Sequence, residues 1–152
     1  MNTTAPRGNA DELLDLTGLN GKVGYLLRRA QIAVHGEFTD LLRELKLRPG
    51  QFAVLRLIGN NPKLTQSKVC VALGIQRANL VGVIDELERR GLLGRTTSDA
   101  DRRSNCLQLT SDGHRVLARS TELQERHEAA IGRSLGAGGY AELLRLLGKL
   151  VD

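Results

Sequence analysis

Hydrophobic residues recur at steps of three and four along residues 22–45, a spacing that places them on one face of a long amphipathic helix. Pro49 suits the first turn of a second helix, because the amide hydrogen that proline lacks has no partner in a first turn. The apolar stripe of this second helix runs to about Gly59, and the polar residues 60–62 then interrupt the pattern. The apolar positions of the first helix are Val23, Leu27, Ala30, Val34, Phe38, Leu41, Leu42 and Leu45.

A pair of shorter helices is predicted next, in the segment LTQSKVCVALGI and the residues after it. Thr65 can cap a helix over Gln66 to Leu73, and Gly74 can end it. A second helix then begins near Gln76 or Arg77 and ends at Gly91. Two helices joined by a short turn that contains glycine form a helix-turn-helix. The buried stripe of the second helix is Leu80, Val83, Ile84 and Leu87.

The pattern then changes to alternation, first over residues 93–97 and again over residues 106–109, with a charged tip between them. Two alternating runs around a polar tip predict a β-hairpin. Thr110, Ser111 and Asp112 can cap a long helix, which the glycines at 136, 138 and 139 end. A last helix, from Tyr140 to Val151, is apolar on nearly every side.

These elements predict a mainly α fold in one domain, residues 1–152: a winged helix-turn-helix with a small β-hairpin wing and a helical dimerisation region. The winged lobe is expected at residues 49–110, and the dimerisation region at residues 1–48 and 111–152. One small chain can hardly bury the last helix on all sides, so we expect a homodimer. The interface residues are predicted to include Leu143, Leu144, Leu146, Leu147 and Leu150, joined by Leu13, Leu16 and Leu19.

Charge adds a candidate partner to this fold. The 152 residues carry a net charge of +5, and the excess lies in the middle of the chain. Residues 22–62 hold seven basic and three acidic side chains, and residues 63–110 hold eight and five. A basic central module indicates a polyanion-binding face, although a solvated basic surface would look the same. With two cysteines, no CxxC motif, no apolar leader and no long apolar run, we expect a cytoplasmic protein.

The second helix of the pair has the side chains that read DNA bases. Its exposed early positions are Gln76, Arg77 and Asn79, and the first turn of a recognition helix lies deepest in the major groove. Arginine can bond guanine through two hydrogen bonds, and asparagine or glutamine can do the same to adenine. Gln66 and Ser67, at the start of the preceding helix, are placed on the same predicted DNA-binding surface. The acidic Asp85, Glu86 and Glu88 lie further along, away from the reading end.

The wing and its flanks resemble the MarR family of bacterial repressors. The segment DADRRS at residues 99–104, followed by LTSDG at residues 109–113, is similar to that family's wing and next helix cap. LTQSKVCVALGI at residues 64–75 and ELERRGLL at residues 86–93 stand in the family's order, and the resemblance covers roughly residues 22–150. It implies a homodimeric winged-helix transcription regulator whose binding to a pseudo-palindromic duplex is relieved by a small ligand.

The resemblance also assigns roles to residues of the wing. Arg103 would be the arginine that enters the minor groove, and Asp101 would hold its guanidinium in place. Narrow minor grooves attract arginine, which is an independent physical reason for this assignment. Arg102 and Arg95 are expected to contact phosphates. Gly82 departs from the family, whose members often carry a polar or basic side chain there, and fewer base contacts from the middle of the helix would follow.

A polar stripe on the first helix is the predicted effector site. Arg28, Gln31 and His35 follow one another at helical spacing, with Arg29 beside them and Tyr25 one turn before. The family's effector cleft is lined by this helix, so these residues would suit an anionic ligand such as an aromatic carboxylate or a CoA thioester. An exposed charged face that makes ordinary helix pairs is the open alternative.

Other functions are less well supported by the residues. A thiol-based redox-sensing repressor remains an alternative, although Cys70 has apolar neighbours that favour a small buried residue, and Cys106 lies on the wing strand. A winged helix used only for protein contacts is a third possibility. His35, His114 and His127 lack metal-ligand spacing, and no cluster of Ser, His and acid is visible. We therefore expect no metal, no cofactor and no enzyme activity.

Overall fold

The computed structural model describes residues 15–97 and 105–151. The chain forms two compact units, of which the first ends at Gly36 and the second begins at Glu37. Helix α1 (Val23–Leu42) starts in the first unit and ends in the second, where a short 3-10 helix, Arg43–Leu45, follows it. The apolar stripe predicted over residues 22–45 is therefore one α-helix with a tightened last turn.

In the first unit, turns over residues 17–21 lead into α1. The Asp15 carboxylate accepts a hydrogen bond from the Thr17 amide at 2.8 Å. Hydrogen bonding to the Thr17 side chain, and then to this amide, lowers the pKa of Asp15. Apolar side chains of this part of α1 remain exposed in the single chain. The most exposed are Val23, Leu26, Leu27, Ile32 and Val34, with relative accessibilities of 40–63%.

The second unit continues through the helix-turn-helix, the hairpin and two C-terminal helices. Its elements are α2 (Pro49–Asn60), β1 (Leu64–Thr65), α3 (Gln66–Leu73), α4 (Arg77–Arg89), β2 (Leu93–Thr97), β3 (Asn105–Leu109), α5 (Ser111–Leu135) and α6 (Gly139–Val151). The predicted helices and the two hairpin strands are confirmed, with ends within one or two residues of the predicted ones. The mainly α winged-helix fold is likewise confirmed.

The sheet contains one strand that the sequence did not predict. Strand order is β1-β3-β2, and both pairings are antiparallel. Strand β1 is only two residues long and pairs Leu64 with Leu107 and Thr65 with Cys106. Two residues cannot show an alternating pattern, so this strand has no signal of its own in the sequence.

One hydrophobic core joins the second unit and fixes α4 in place. Phe52 of α2 packs edge-on against Phe38 at the end of α1, with ring centroids 5.4 Å apart. The fully buried side chains include Leu42, Leu55, Ile58, Val69, Leu80, Ile84, Leu87, Leu107 and Leu123. Cys106 is buried, whereas Cys70, predicted to be buried, is only half-buried and packs at the edge of this core.

Within residues 15–97 and 105–151, no single helix is long and apolar enough to cross a membrane, although the bent pair Gln66–Leu73 and Arg77–Arg89 together has the length and composition of a membrane span.

Candidate nucleic-acid interface

The helix-turn-helix is formed by α3 and α4, whose axes differ by 115°. The Thr65 hydroxyl accepts a hydrogen bond from the Lys68 amide and so caps α3, as the sequence predicted. Gly74 ends α3 in the left-handed conformation at φ 61°, which favours glycine because it has no Cβ. The crossing angle lies in the range of DNA-binding helix-turn-helix pairs.

The first turn of α4 presents polar side chains to solvent. Gln76, Arg77 and Asn79 are all exposed, as predicted, while Leu80 and Ile84 on the opposite face are fully buried. Burial of that face fixes the rotation of α4 about its axis and therefore the direction of the exposed residues. The positive end of the helix dipole lies at the same turn and favours an approaching phosphate.

The predicted DNA-binding surface also includes two residues at the start of α3. At the start of α3, Ser67 is exposed and Gln66 is half-buried. Gly82 is exposed in the middle of α4, and a Cβ added there would meet no atom within 4 Å. Position 82 therefore offers no side chain to contact DNA from the middle of α4.

The three acidic residues of α4 are all paired with arginines of neighbouring elements. Glu88 accepts hydrogen bonds from Arg95 Nε at 2.9 and 3.1 Å and from its Nη2 at 2.8 Å. Asp85 accepts from the same Nη2 at 3.2 Å, and Glu86 pairs with Arg48 at the start of α2. The hydrogen bond to Glu88 raises the pKa of Arg95. These pairs reduce the negative charge that α4 presents to DNA.

Arg95 therefore has partners that sequence reasoning missed. The sequence predicted a phosphate contact for it, and the structure places its guanidinium against α4. The sequence did contain a signal for this pairing, because Arg95 is the third residue of a strand that follows the acidic end of α4.

The C-terminal end of α4 is tied to the connection between α1 and α2. Arg90 donates hydrogen bonds to the carbonyl oxygens of Lys46 at 2.8 Å and Leu45 at 2.9 Å. Lys46 has a positive φ of 51°, which turns the chain after the 3-10 helix. This contact joins residues 44 or more apart in sequence, and no local pattern predicts it.

The chain runs into the predicted wing along β2 and returns along β3. These two strands are antiparallel, and their register pairs Arg95 with Leu107. Asp101, Arg102 and Arg103, the predicted wing residues, lie outside the described residues. After β3, the Thr110 hydroxyl accepts from the Gly113 amide at 3.0 Å and donates to the Gly91 carbonyl at 2.6 Å. The predicted cap of α5 is thus confirmed, and it also anchors the turn between α4 and β2.

The predicted effector residues lie on the part of α1 that belongs to the first unit. Arg28, Arg29, Gln31 and His35 are exposed and Tyr25 is half-buried. The Arg29 guanidinium lies 5.9 Å from the centre of the Tyr25 ring, within the range of a cation–π contact.

A separate cavity of about 720 Å³ lies in the second unit, and none of the five predicted effector residues lines it. His127 is buried at its wall, stacks on Phe38 with ring centroids 5.6 Å apart, and has its Nε2 3.5 Å from a Glu37 carboxylate oxygen. The lining residues are Glu37, Asp40, Leu41, Arg126, His127, Ala129, Ala130 and Arg133. Among the described residues, no group of three His, Cys, Asp or Glu side chains is arranged to hold a metal ion.

A helix-turn-helix whose second helix has an exposed polar first turn, together with a three-stranded antiparallel sheet, defines a winged-helix DNA-binding protein. Comparison with known proteins is consistent with this class. The model of the MarR family matches residues 45–104. A protein of Thauera aromatica, named for transcriptional regulation of the hcr operon, is 36% identical over 131 residues, which are 86% of this chain and 79% of that protein.

Two solved structures of the transcriptional repressor CouR are similar over nearly their whole length. CouR bound to a 23-mer DNA duplex is 39% identical, with a TM-score of 0.86, covering 91% of this chain and 99% of that one. CouR bound to p-coumaroyl-CoA is 36% identical, with a TM-score of 0.83, covering 91% and 98%. The chain belongs to the MarR family of winged-helix transcription regulators.

Proposed function

We propose that this chain is a homodimeric repressor that binds a pseudo-palindromic operator and is released from it by a small anionic effector. The observation that carries the proposal is the similarity of this chain to nearly the whole of the repressor CouR, whose structure has been solved both on a DNA duplex and with an acyl-CoA. The exposed first turn of α4 supports the DNA-binding part. A cytoplasmic location, at the bacterial nucleoid, follows from this role.

The dimer is supported by the exposed apolar face of α6. Leu144 and Leu150 are 53% and 63% accessible in the single chain, and Leu143 and Leu146 are also exposed. A contiguous row of leucines on a helix in water is unfavourable, so a second copy of this chain is the proposed cover. Two copies also provide the two recognition helices that a pseudo-palindrome requires, about 34 Å apart.

In the proposed complex, Arg77 reads a guanine and Gln76 and Asn79 contact neighbouring bases, while Arg103 enters the minor groove. Contacts to the DNA backbone are added by Gln66, Ser67 and Arg102, and Asp101 orients Arg103. Arg95 borders this surface, with its guanidinium engaged by Glu88. Each phosphate that is neutralised adds about 0.9 to the slope of log affinity against log salt concentration.

The test is selection of duplexes from a randomised library, followed by titration of the best duplex at several KCl concentrations. Arg77→Ala should weaken binding by roughly 1–3 kcal/mol and relax the preference at one base pair. Arg43→Ala is the matched control, because Arg43 is exposed, pairs with Asp40 and is not part of the first turn of α4. Equal loss of affinity in the two variants would refute the assignment of Arg77 to base reading.

The effector is proposed to be an aromatic carboxylate or its CoA thioester, held by the polar stripe of α1. Tyr25, Arg28, Arg29, Gln31 and His35 supply an aromatic ring, cations and hydrogen-bond donors at helical spacing. A ligand releases DNA only if it binds the DNA-free geometry more tightly. A hundredfold loss of DNA affinity requires about 2.7 kcal/mol of that preference.

Release is tested by titrating p-coumarate, p-coumaroyl-CoA and related anions into the protein–DNA complex. Arg28→Ala and Arg29→Ala should leave DNA binding near normal and require more of the active compound for release. Arg43→Ala again serves as the control. If both variants respond like the wild type, the stripe is an ordinary charged face and the effector binds elsewhere.

A further inference from the structure

Arg95 connects the wing strand β2 to the recognition helix α4 through hydrogen bonds to two carboxylates, those of Glu88 and Asp85. Its Nε and Nη2 bond both carboxylate oxygens of Glu88, and the same Nη2 reaches Asp85 at 3.2 Å. Such a bidentate pair fixes the orientation of both side chains as well as their distance. Asp85 and Glu88 are three residues apart, so they lie on one face of α4.

The strand supplies the other side of the contact. Alternate residues of a strand point to the same face, so Leu93 and Arg95 share one face of β2. Leu93 is buried in the core with 3% accessibility, and the Arg95 side chain, 37% exposed, lies further along the same face. The hydrophobic core therefore holds the start of β2 against α4, and the ion pair extends that attachment towards residues 98–104.

A phosphate contact through Nε or Nη2 of Arg95 would require these two nitrogens to exchange their carboxylate partners for DNA. The exchange would leave Glu88 and Asp85 unneutralised beside the phosphates, which is unfavourable because like charges repel. While the pair remains intact, the same arginine both neutralises α4 and fixes the strand.

We propose that Arg95 is a positioning residue that acts through Glu88 and Asp85 to hold the wing strand at a fixed distance from the recognition helix. The inference rests on the proposed DNA-binding function and gives Arg95 this role in place of the phosphate contact expected from the sequence. Since α4 and the wing would occupy neighbouring grooves of one duplex, their separation determines whether both can bind at once.

The first test is Arg95→Lys, titrated against the duplex selected by the wild type. Lysine keeps the charge but cannot form the bidentate pair. A positioning role predicts about tenfold weaker binding, which corresponds to one charge-assisted hydrogen bond, with an unchanged salt slope. A phosphate contact predicts affinity near that of the wild type.

The second test is Glu88→Gln, for which the two roles predict effects of opposite sign. Removing a negative charge near DNA should strengthen binding, or leave it unchanged, if Arg95 contacts phosphate. If Arg95 positions the wing, Glu88→Gln weakens binding in spite of the lost negative charge. Glu125→Gln, at an exposed position of α5, is the control for loss of one carboxylate.

Footprints separate positioning from a general loss of structure. In Arg95→Lys at saturating protein, protection of the minor groove from hydroxyl radicals should shrink, while protection of guanine N7 from dimethyl sulfate persists. A merely structural defect would weaken both protections together. The inference is overturned if Arg95→Lys binds like the wild type and Glu88→Gln binds equally or more tightly. A wild-type chain that selects no duplex would overturn the proposed function and this inference with it.

Discussion

Gly113 lies in the first turn of α5 at a point where the helix touches the backbone before β2. A Cβ added at this position would stand 2.0 Å from the Leu92 carbonyl oxygen and 3.1 Å from its carbon. The carbonyl is not free to withdraw, because it accepts a hydrogen bond from the Thr110 amide at 3.1 Å. The Thr110 hydroxyl in turn bonds both Gly91 and Gly113. An alanine at position 113 must therefore displace the helix start, the cap or the turn.

The expected cost follows from these contacts. Overpacking a close contact costs about 1–3 kcal/mol, and disturbing a threonine cap costs about 1 kcal/mol more. Alanine offsets about 0.5–1 kcal/mol of this, because glycine loses more backbone entropy in a helix. Gly113→Ala should thus lower the free energy of unfolding by about 1–3.5 kcal/mol, and the melting temperature by about 2–14 °C.

Gly82→Ala is the matched control, because it makes the same change within α4 where the added Cβ meets no atom. It should raise the free energy of unfolding by about 0.5–1 kcal/mol. Both variants are measured by thermal and urea unfolding at one protein concentration, since the stability of a dimer depends on concentration. If Gly113→Ala is as stable as Gly82→Ala, the close approach of α5 to Leu92 is not a constraint on the fold.

Three further outcomes are expected. Arg90→Met should destabilise the chain by about 1–3 kcal/mol in urea unfolding, because two backbone carbonyls lose their donor, whereas Arg89→Met should change stability by less than about 0.5 kcal/mol. The hydrogen bond that Tyr140 donates to Glu128 raises the pKa of the tyrosine. The stability that this hydrogen bond contributes should therefore be present below about pH 10 and lost above it, and Tyr140→Phe should abolish this pH dependence. Replacing Cys70 and Cys106 together by serine should leave DNA release by whichever anion is active in the release titration unchanged, and a lost response to peroxide in that variant would favour the redox-sensing alternative.

Local sequence signals were sufficient for most of the fold. The Thr65 cap, the left-handed Gly74 and the Thr110 cap are determined within a few residues, so the bounds of α3 and the start of α5 could be predicted. The exposure of Arg77 and Asn79 followed from helical periodicity, because the buried stripe of α4 leaves only one direction for the other residues.

What the sequence did not predict depends on contacts between distant residues. Strand β1 exists because Leu64 and Thr65 find partners on β3, more than 40 positions away. The partners of Arg95 and Arg90 are likewise decided by tertiary packing: many arginines and acids are available, and composition does not say which of them meet. Dimer contacts and the effector site depend on a second copy or on a ligand, so their residues remain predictions.

An anisotropy titration of the selected duplex with the wild-type chain, repeated with a scrambled duplex of equal length and charge, tests the proposed repressor most directly. A homodimeric, effector-responsive repressor should bind as two chains per selected duplex, with steep salt dependence and much weaker binding to the scrambled duplex. An aromatic acid or its CoA thioester should release it. Equal affinity for the two duplexes at every salt concentration would contradict a sequence-reading repressor.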